Sequence, residues 1–147
     1  LYGERVGALS IVTASKDEAG RVLSQAKRVI RTNYSNPPTH GATVVASVLN
    51  SPELRALWEQ ELGEMRERIR DMRLAMVEQL AALGAKRDFS FVARQRGMFS
   101  YSGLTAEQVE RLKTEFGIYA VGTGRICVAA LNRNNLDAVT KAIVQVL

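Results

Sequence analysis

Residues 51–84 read SPELRALWEQELGEMRERIRDMRLAMVEQLAALG, and this stretch decides how the chain is organised. Ser51 followed by Pro52 indicates a helix start, because serine caps a helix and proline fits its first position. Apolar residues then recur three and four apart until Gly84, a residue type suited to the left-handed conformation after a helix. At 1.5 Å per residue the predicted helix is about 45–50 Å long, more than a small domain needs. We therefore predict that residues 51–83 bridge two domains.

The charges on this helix bear on possible partners. The chain carries a net charge of +5, which permits binding to nucleic acid or to an anionic ligand. Glu64 and Arg68 are four apart and Glu67 and Arg70 three apart, so acids and bases should pair on the helix surface. We therefore favour a solvated face over a nucleic-acid stripe. A coiled-coil seam is a further alternative, although Gly63 interrupts a clean heptad.

Length and composition indicate a globular protein. Hydrophobic residues make up 46% of the 147 residues and charged ones 24%, which is typical of a chain that buries a core in water. No apolar run approaches the roughly 20 residues that span a bilayer, and no leader pattern is visible. The single cysteine, Cys127, is typical of the reducing cytoplasm. Because the chain opens at Leu1 without Met, we expect it to be a piece of a longer protein.

The first part of the chain looks like the end of a larger domain. Residues 7–14 are apolar and partly β-branched, which predicts a buried strand. Residues 15–18 (SKDE) form a capping-box pattern, and the helix that follows should run to Arg31. The proline pair at 37–38 breaks that pattern. Residues 41–49 then resume as a nearly all-apolar helix, which we expect to be buried.

The last part of the chain has a different pattern. Thr105 and Gln108 form a second capping box, and its helix should end at Gly117. Residues 136–147 are amphipathic and predict a final helix. Four short runs are expected to be strands: 89–92, 98–101, 118–121 and 125–130. The order β-β-α-β-β-α predicts a small α+β domain.

Two arginines lie in loops that the sequence makes distinctive. One opens the segment Arg31-Thr-Asn-Tyr-Ser-Asn-Pro-Pro-Thr-His-Gly-Ala42, and the other lies in Gly122-Thr-Gly-Arg-Ile-Cys-Val128. A guanidinium binds a carboxylate through two parallel hydrogen bonds, so this pair suits a ligand with two carboxylates. Together with Glu4-Arg-Val-Gly7, these segments resemble the C-terminal part of the aspartate/aromatic-amino-acid aminotransferases, which are class I pyridoxal-phosphate-dependent enzymes. The resemblance is collinear along the whole chain.

This resemblance implies an α/β chain that is the C-terminal part of a fold-type I pyridoxal-phosphate-dependent transferase. Residues 1–50 would end the large cofactor-binding domain and contain a dimer-interface loop. Residues 51–83 would be the interdomain helix, and residues 84–147 the small α+β domain. The implied reaction is transamination between aspartate or aromatic amino acids and 2-oxoglutarate, in a cytoplasmic homodimer that binds neither nucleic acid nor a membrane. The family's Schiff-base lysine would lie upstream of Leu1, so the isolated chain is expected to be inactive.

The resemblance also assigns substrate-binding residues. Arg125 would hold the substrate α-carboxylate, and Arg31 would receive the side-chain carboxylate of aspartate in the partner subunit's site. Considered alone, Arg125 is equally well a surface arginine at a strand start. Arg31 could simply stabilise a helix C-terminus by about 0.3–1 kcal/mol. Asn36 and Phe99 would lie near the substrate, although Phe99 could equally be a core residue.

The cofactor residues implied by the resemblance are Arg5, which would bind the phosphate of pyridoxal 5'-phosphate, and Ser35. Taken alone, Arg5 would be a solvated arginine. His40 is the only histidine and we expect no metal site. Cys127 should be a small buried hydrophobe, and Met65, Met72 and Met76 should be core.

Two alternatives to this family remain. The first is a non-catalytic helical module that binds a partner or nucleic acid, and it leaves the two arginine loops unexplained. The second is a relative with lyase chemistry.

Overall fold

The computed structural model describes residues 2–147, which form two compact units, residues 2–59 and residues 60–147. We call them the N-terminal unit and the C-terminal unit. The helices are α1 (Lys16–Tyr34), α2 (His40–Asn50), α3 (Pro52–Ala82), α4 (Ser90–Arg94), α5 (Ala106–Phe116) and α6 (Leu136–Val146). The strands are β1 (Phe99–Tyr101) and β2 (Arg125–Cys127), and short 3-10 turns cover Tyr2–Glu4 and Val128–Ala130. None of these helices is long and apolar enough to cross a membrane.

Helix α1 begins where the capping pattern predicts. The Ser15 hydroxyl accepts a hydrogen bond from the Glu18 backbone N–H at 3.2 Å. The Glu18 carboxylate accepts from the N–H of Ala14 at 2.9 Å, one residue earlier than in a standard capping box. The helix continues to Tyr34, three residues past the expected end at Arg31.

Two predictions for the N-terminal unit are wrong. Residues 7–14 form no strand and lie largely exposed, because the described part of this unit contains no second strand to pair with them. Helix α2 forms as predicted, but only Gly41 in it is buried, while Val44, Val45 and Val48 are half-buried. The backbone at Gly41 lies so close to its neighbours that an added Cβ would meet the Val6 side chain at 2.4 Å.

Helix α3 confirms the long helix that was predicted from residues 51–84, while the prediction that it bridges two domains stays a prediction. It runs over Pro52–Ala82, and Gly84 adopts the left-handed conformation at φ 71°. The Glu67–Arg70 pair forms at 3.1 Å. The predicted pairing of Glu64 with Arg68 is wrong, because the Arg68 guanidinium donates instead to the carbonyls of Ala129 and Leu131 at 2.9 and 3.0 Å.

The C-terminal unit has a hydrophobic core to which α3, α4, α5 and α6 contribute. Its fully buried members include Met76, Leu80, Val92 and Ile143. Met72 and Met76 are core as predicted, whereas Met65 is 53% exposed.

The strand predictions in this unit are only partly confirmed. Strand β1 lies within 98–101, but β2 ends at Cys127 and the chain then turns into a 3-10 segment. Residues 90–92 belong to helix α4 and Phe89 is its N-cap residue, because the Asp88 carboxylate accepts from the Ser90 N–H and hydroxyl at 2.8 and 2.7 Å and turns the chain into a helix. Residues 118–121 form no strand, since the turn before β2 takes up their last residue. The expected four strands are therefore a single antiparallel pair between helices.

Candidate functional site

The two strands bring Phe99 and Arg125 onto one face. In the antiparallel register Phe99 lies opposite Cys127 and Tyr101 opposite Arg125. Side chains alternate across a strand, so these four residues point to one side while Ser100, which is 2% exposed, points into the core. The pairing thus places an aromatic ring and a cation, 26 residues apart in sequence, side by side.

Arg125 stacks on this ring at the edge of a cavity. Its guanidinium carbon lies 4.8 Å from the Phe99 ring centroid, an attractive cation–π arrangement. The cavity, about 290 Å³, is lined by Phe99, Tyr119, Ala120, Val121, Arg125 and Cys127. Within residues 2–147 Arg125 forms no ion pair. The flat, stacked guanidinium is therefore available to an anion that enters the cavity.

The turn before Arg125 depends on Gly124. This residue has φ 79°, and an added Cβ would lie 2.5 Å from the Leu104 carbonyl oxygen. Ser102 donates to the Gly124 carbonyl through both its N–H, at 2.9 Å, and its hydroxyl, at 2.7 Å. These contacts fix the backbone from which the Arg125 side chain departs.

Arg73 supports the same strands from the other side, and sequence reasoning missed it. Its side chain is 3% exposed and donates to the carbonyls of Val92, Gly97 and Phe99 and to the Ser100 hydroxyl. Burial lowers the pKa of the Arg73 guanidinium, and the positive charge of Arg96 lowers it further. An arginine nevertheless keeps its charge in a protein. The missed signal is its place in the apolar stripe of α3, three residues before Met76.

Arg87 is a second arginine that binds backbone near the strands. It donates to the carbonyls of Ser102 and Gly103 at 2.9 and 2.8 Å and stacks on the Phe89 ring at 4.8 Å. Its Nε is buried without a hydrogen-bond partner among the described residues. Arg87 thus holds the segment that in turn holds Gly124.

In the N-terminal unit, Arg5 directly follows the short 3-10 turn Tyr2–Glu4. It has φ 52°, and its guanidinium carbon lies 4.3 Å from the Tyr2 ring centroid. The neighbouring Glu4 carboxylate lies 3.1 Å from His40 Nδ1, within hydrogen-bond distance. No group of three or more potential metal ligands occurs in the part of the chain that the structure describes.

Arg31, Ser35 and Asn36 lie together at the end of α1, all exposed. The Ser35 N–H donates to the Arg31 carbonyl at 3.1 Å, and the Asn36 N–H donates to the Tyr34 carbonyl at 2.7 Å. Ser35 has φ 61°. It and Arg5 are the non-glycine residues with positive φ among residues 2–147, a conformation that costs free energy in a side-chain-bearing residue.

A family model described as aminotransferase class I and II matches residues 1–143. The chain belongs to this family. It is 88% identical over its whole length to an aspartate aminotransferase of Pseudomonas aeruginosa and 51% identical to an aromatic-amino-acid aminotransferase of Escherichia coli. The chain spans 37% of the length of each of these curated relatives.

Solved structures of other aminotransferases have the same fold. An aromatic-amino-acid aminotransferase from Burkholderia pseudomallei, covalently bound to pyridoxal phosphate, is 75% identical and superposes with a TM-score of 0.91. The comparison covers all of this chain and 37% of that one. A mitochondrial aspartate aminotransferase from Trypanosoma brucei gives 48% identity and a TM-score of 0.89 over 99% of this chain and 38% of that one. The predicted fold class, part of a fold-type I transferase, is thereby confirmed.

The structure brings together some of the residues that the sequence singled out. Phe99 and Arg125 are in contact, and Phe99 is 45% exposed, so its interpretation as a core residue is wrong. Arg31, Ser35 and Asn36 form one exposed group. Cys127 is half-buried and lines the cavity instead of lying in the core. The roles of these residues remain predictions.

Proposed function

We propose that this chain is the C-terminal portion of a pyridoxal-phosphate-dependent aminotransferase that transfers amino groups between aspartate or aromatic amino acids and 2-oxoglutarate. The observation that carries the proposal is the Arg125 guanidinium, stacked on Phe99 at the cavity and without an ion pair in residues 2–147. Relatives that match the full chain bear both substrate names, so both substrate classes belong to the proposal.

In this proposal Arg125 binds the substrate α-carboxylate. Its two parallel N–H groups can donate to both carboxylate oxygens, which fixes the rotation of the α-carbon. Phe99 keeps the guanidinium plane in one orientation, because leaving the ring would lose the cation–π contact. When bound, pyridoxal phosphate supplies an electron sink for the bond broken at the α-carbon. The residues of this chain bind the substrate carboxylate and orient the α-carbon.

Arg31 receives the second carboxylate of a dicarboxylic substrate and, in the homodimer that we propose, reaches the partner subunit's site. Its position supports this role, because it is an exposed cation in the last turn of α1 with Asn36 close by in sequence. An aromatic substrate has no second carboxylate, so it would not need Arg31.

In this proposal Arg5 binds the cofactor phosphate, and Ser35 lies near the cofactor on the partner subunit's side. The exposed Arg5 stacks on Tyr2 and keeps its edge N–H groups available for a phosphate. Both residues have positive φ, and such costly conformations concentrate at functional sites. The residues present therefore fit the cofactor, and the remaining donors and the lysine would come from sequence upstream of Leu1.

The proposed domains keep the bounds expected from the sequence, with the end of the large domain at 1–50, the interdomain helix at 51–83 and the small domain at 84–147. Exposed apolar residues on α1, such as Leu23 and Val29, support a larger domain that covers them. A cytoplasmic location is part of the proposal. A non-catalytic or nucleic-acid-binding module is not favoured, because it leaves Arg125 and its cavity without a role.

The test uses the full-length enzyme that contains this chain, with steady-state kinetics for aspartate and for phenylalanine. Arg125→Lys should raise the KM for both substrates about 10- to 100-fold, since a charge-assisted hydrogen bond contributes about 1.5–3 kcal/mol. Arg31→Ala should raise it for aspartate alone. Arg133→Lys, an exposed arginine of the same unit, is the control and should change neither. Unchanged KM values for Arg125→Lys would overturn the proposal.

A further inference from the structure

Arg73 is a buried cation that carbonyl groups, rather than a carboxylate, satisfy. Its NH1 donates to the Val92 carbonyl at 3.1 Å and to the Ser100 hydroxyl, and its NH2 donates to the Gly97 and Phe99 carbonyls at 2.6 and 2.9 Å. None of the ion pairs in residues 2–147 includes Arg73. A buried charge is costly unless hydrogen bonds replace the water that it loses. The Arg73 guanidinium and its four acceptors therefore hold one another in a defined geometry.

These acceptors come from three consecutive parts of the chain. Val92 lies in α4, Gly97 in the turn that follows, and Phe99 and Ser100 in β1. Strand β1 has only three residues and only β2 as a neighbour in the described sheet. The ladder alone therefore fixes its position weakly, and the planar fork of Arg73 supplies the missing constraint from α3.

Strand β1 connects Arg73 to the carboxylate site that Phe99 and Arg125 form. Arg73 binds the Phe99 carbonyl, and the Phe99 side chain projects from the face opposite the buried Ser100. On that face the ring supports the Arg125 guanidinium at 4.8 Å. A shift of the Phe99 backbone therefore shifts the surface on which Arg125 lies.

We propose that Arg73 is a positioning residue for the carboxylate site: by fixing the backbone of β1 it sets the place of the Phe99 ring, and through it the orientation of Arg125. This inference rests on the proposed function, because it takes Arg125 as the group that binds the substrate carboxylate. Arg73 itself touches neither substrate nor cofactor. Its effect is on binding geometry, so it should alter carboxylate affinity more than it alters kcat.

The experiment measures the binding of succinate, a dicarboxylate without an amino group, to the full-length holoenzyme by calorimetry, together with KM and kcat for aspartate. Arg73→Lys keeps the charge but cannot reach all four acceptors, and it should weaken succinate about tenfold and raise KM similarly. Arg68→Lys is the matched control, since Arg68 also donates from α3 to two carbonyls but not to β1. It should leave succinate binding within about twofold of the unmodified enzyme.

A double-mutant cycle separates positioning from general stability. Phe99→Leu removes the ring through which a shift of β1 would reach Arg125, so Arg73→Lys should lose most of its effect in that background. Additive effects, or an Arg73→Lys enzyme with a lower Tm and unchanged succinate affinity, would overturn the inference. If Arg73→Lys does not fold, Ser100→Ala decides, because it removes one acceptor and should weaken succinate about two- to threefold. Unchanged binding in that variant also overturns the inference.

Arg125→Lys distinguishes the two proposals in the same assay. If it leaves succinate binding intact, the proposed function fails. If it abolishes binding while Arg73→Lys has no effect, only the Arg73 inference fails.

Discussion

The N-terminal and C-terminal units both contain helices with correct start signals, but they differ in what those helices bury. In residues 2–59 the only buried residue is Gly41. In residues 60–147, apolar side chains from four helices meet in one core, where Met76 and Leu80 are fully buried. Helix α1 has apolar residues of its own, yet Leu23 is 56% exposed. Local signals thus specify helices in both units, whereas a core forms only where several elements meet.

The largest expected difference comes from one substitution in each unit. Leu80→Ala should lower the free energy of unfolding by about 2–5 kcal/mol, because it opens a cavity in a closed core. Leu23→Ala, a truncation of the same side chain, should change it by less than about 0.5 kcal/mol in the 147-residue chain. Urea unfolding followed by circular dichroism measures both.

The same two substitutions in the longer enzyme that we propose would test this contrast further. If the rest of a large domain covers α1, Leu23→Ala should become clearly destabilising there. A cost in the 147-residue chain equal to that of Leu80→Ala would contradict the contrast between the units.

Two glycines should give effects of opposite sign. Gly124→Ala should destabilise the C-terminal unit by about 1–3 kcal/mol, since the residue has φ 79° and its Cβ would lie 2.5 Å from the Leu104 carbonyl oxygen. Gly20 lies inside α1 with no atom within 4 Å of an added Cβ. Gly20→Ala should therefore stabilise α1 by about 0.5–1 kcal/mol, which raises the helix content. Thermal melting and circular dichroism check both, and a stabilised Gly124→Ala variant would refute the close approach.

Sequence reasoning worked where a local signal marks both ends of an element. Helix α5 has Thr105 as its cap and Gly117 in the left-handed conformation after its last turn, so its bounds were predictable. Residues 7–14 and 118–121 carry a strand composition, but pairing depends on a partner that no local pattern specifies. Residues 89–92 also have a strand composition, but the Asp88 side chain before them accepts a hydrogen bond from the Ser90 N–H and starts a helix.

The candidate site, too, could be predicted from the sequence only in part. The arginine loops were identified from their residues and from the family resemblance. The contact of Phe99 with Arg125 depends on strand register across 26 residues, and the four acceptors of Arg73 depend on packing between α3 and β1. Neither can be deduced from periodicity, because both are consequences of tertiary structure.

A smaller effect is expected from the two helix caps. Thr105→Ala removes a complete capping box and should lower the unfolding free energy of the C-terminal unit by about 1 kcal/mol. Ser15→Ala removes a similar hydrogen bond from α1, but that helix contributes no buried residue. Its loss should be seen as reduced helix content at low temperature and leave the urea midpoint of the C-terminal unit unchanged. A shifted midpoint in Ser15→Ala would show that α1 unfolds together with the core.

The smallest effect is a dependence on acid confined to the C-terminal unit. The hydrogen bonds from the Ser90 hydroxyl and N–H hold the pKa of Asp88 below its ordinary value. Because the folded pKa is the lower one, the ionised carboxylate stabilises the folded state above the unfolded pKa of about 4. That contribution is lost as the pH falls through the folded pKa. Asp88→Asn should therefore lower the Tm relative to the unmodified chain near neutral pH, and the difference should shrink below about pH 4. Ser90→Ala, which removes only the hydroxyl donor, should give a smaller difference over the same range, while a difference independent of pH would refute the role of the charge.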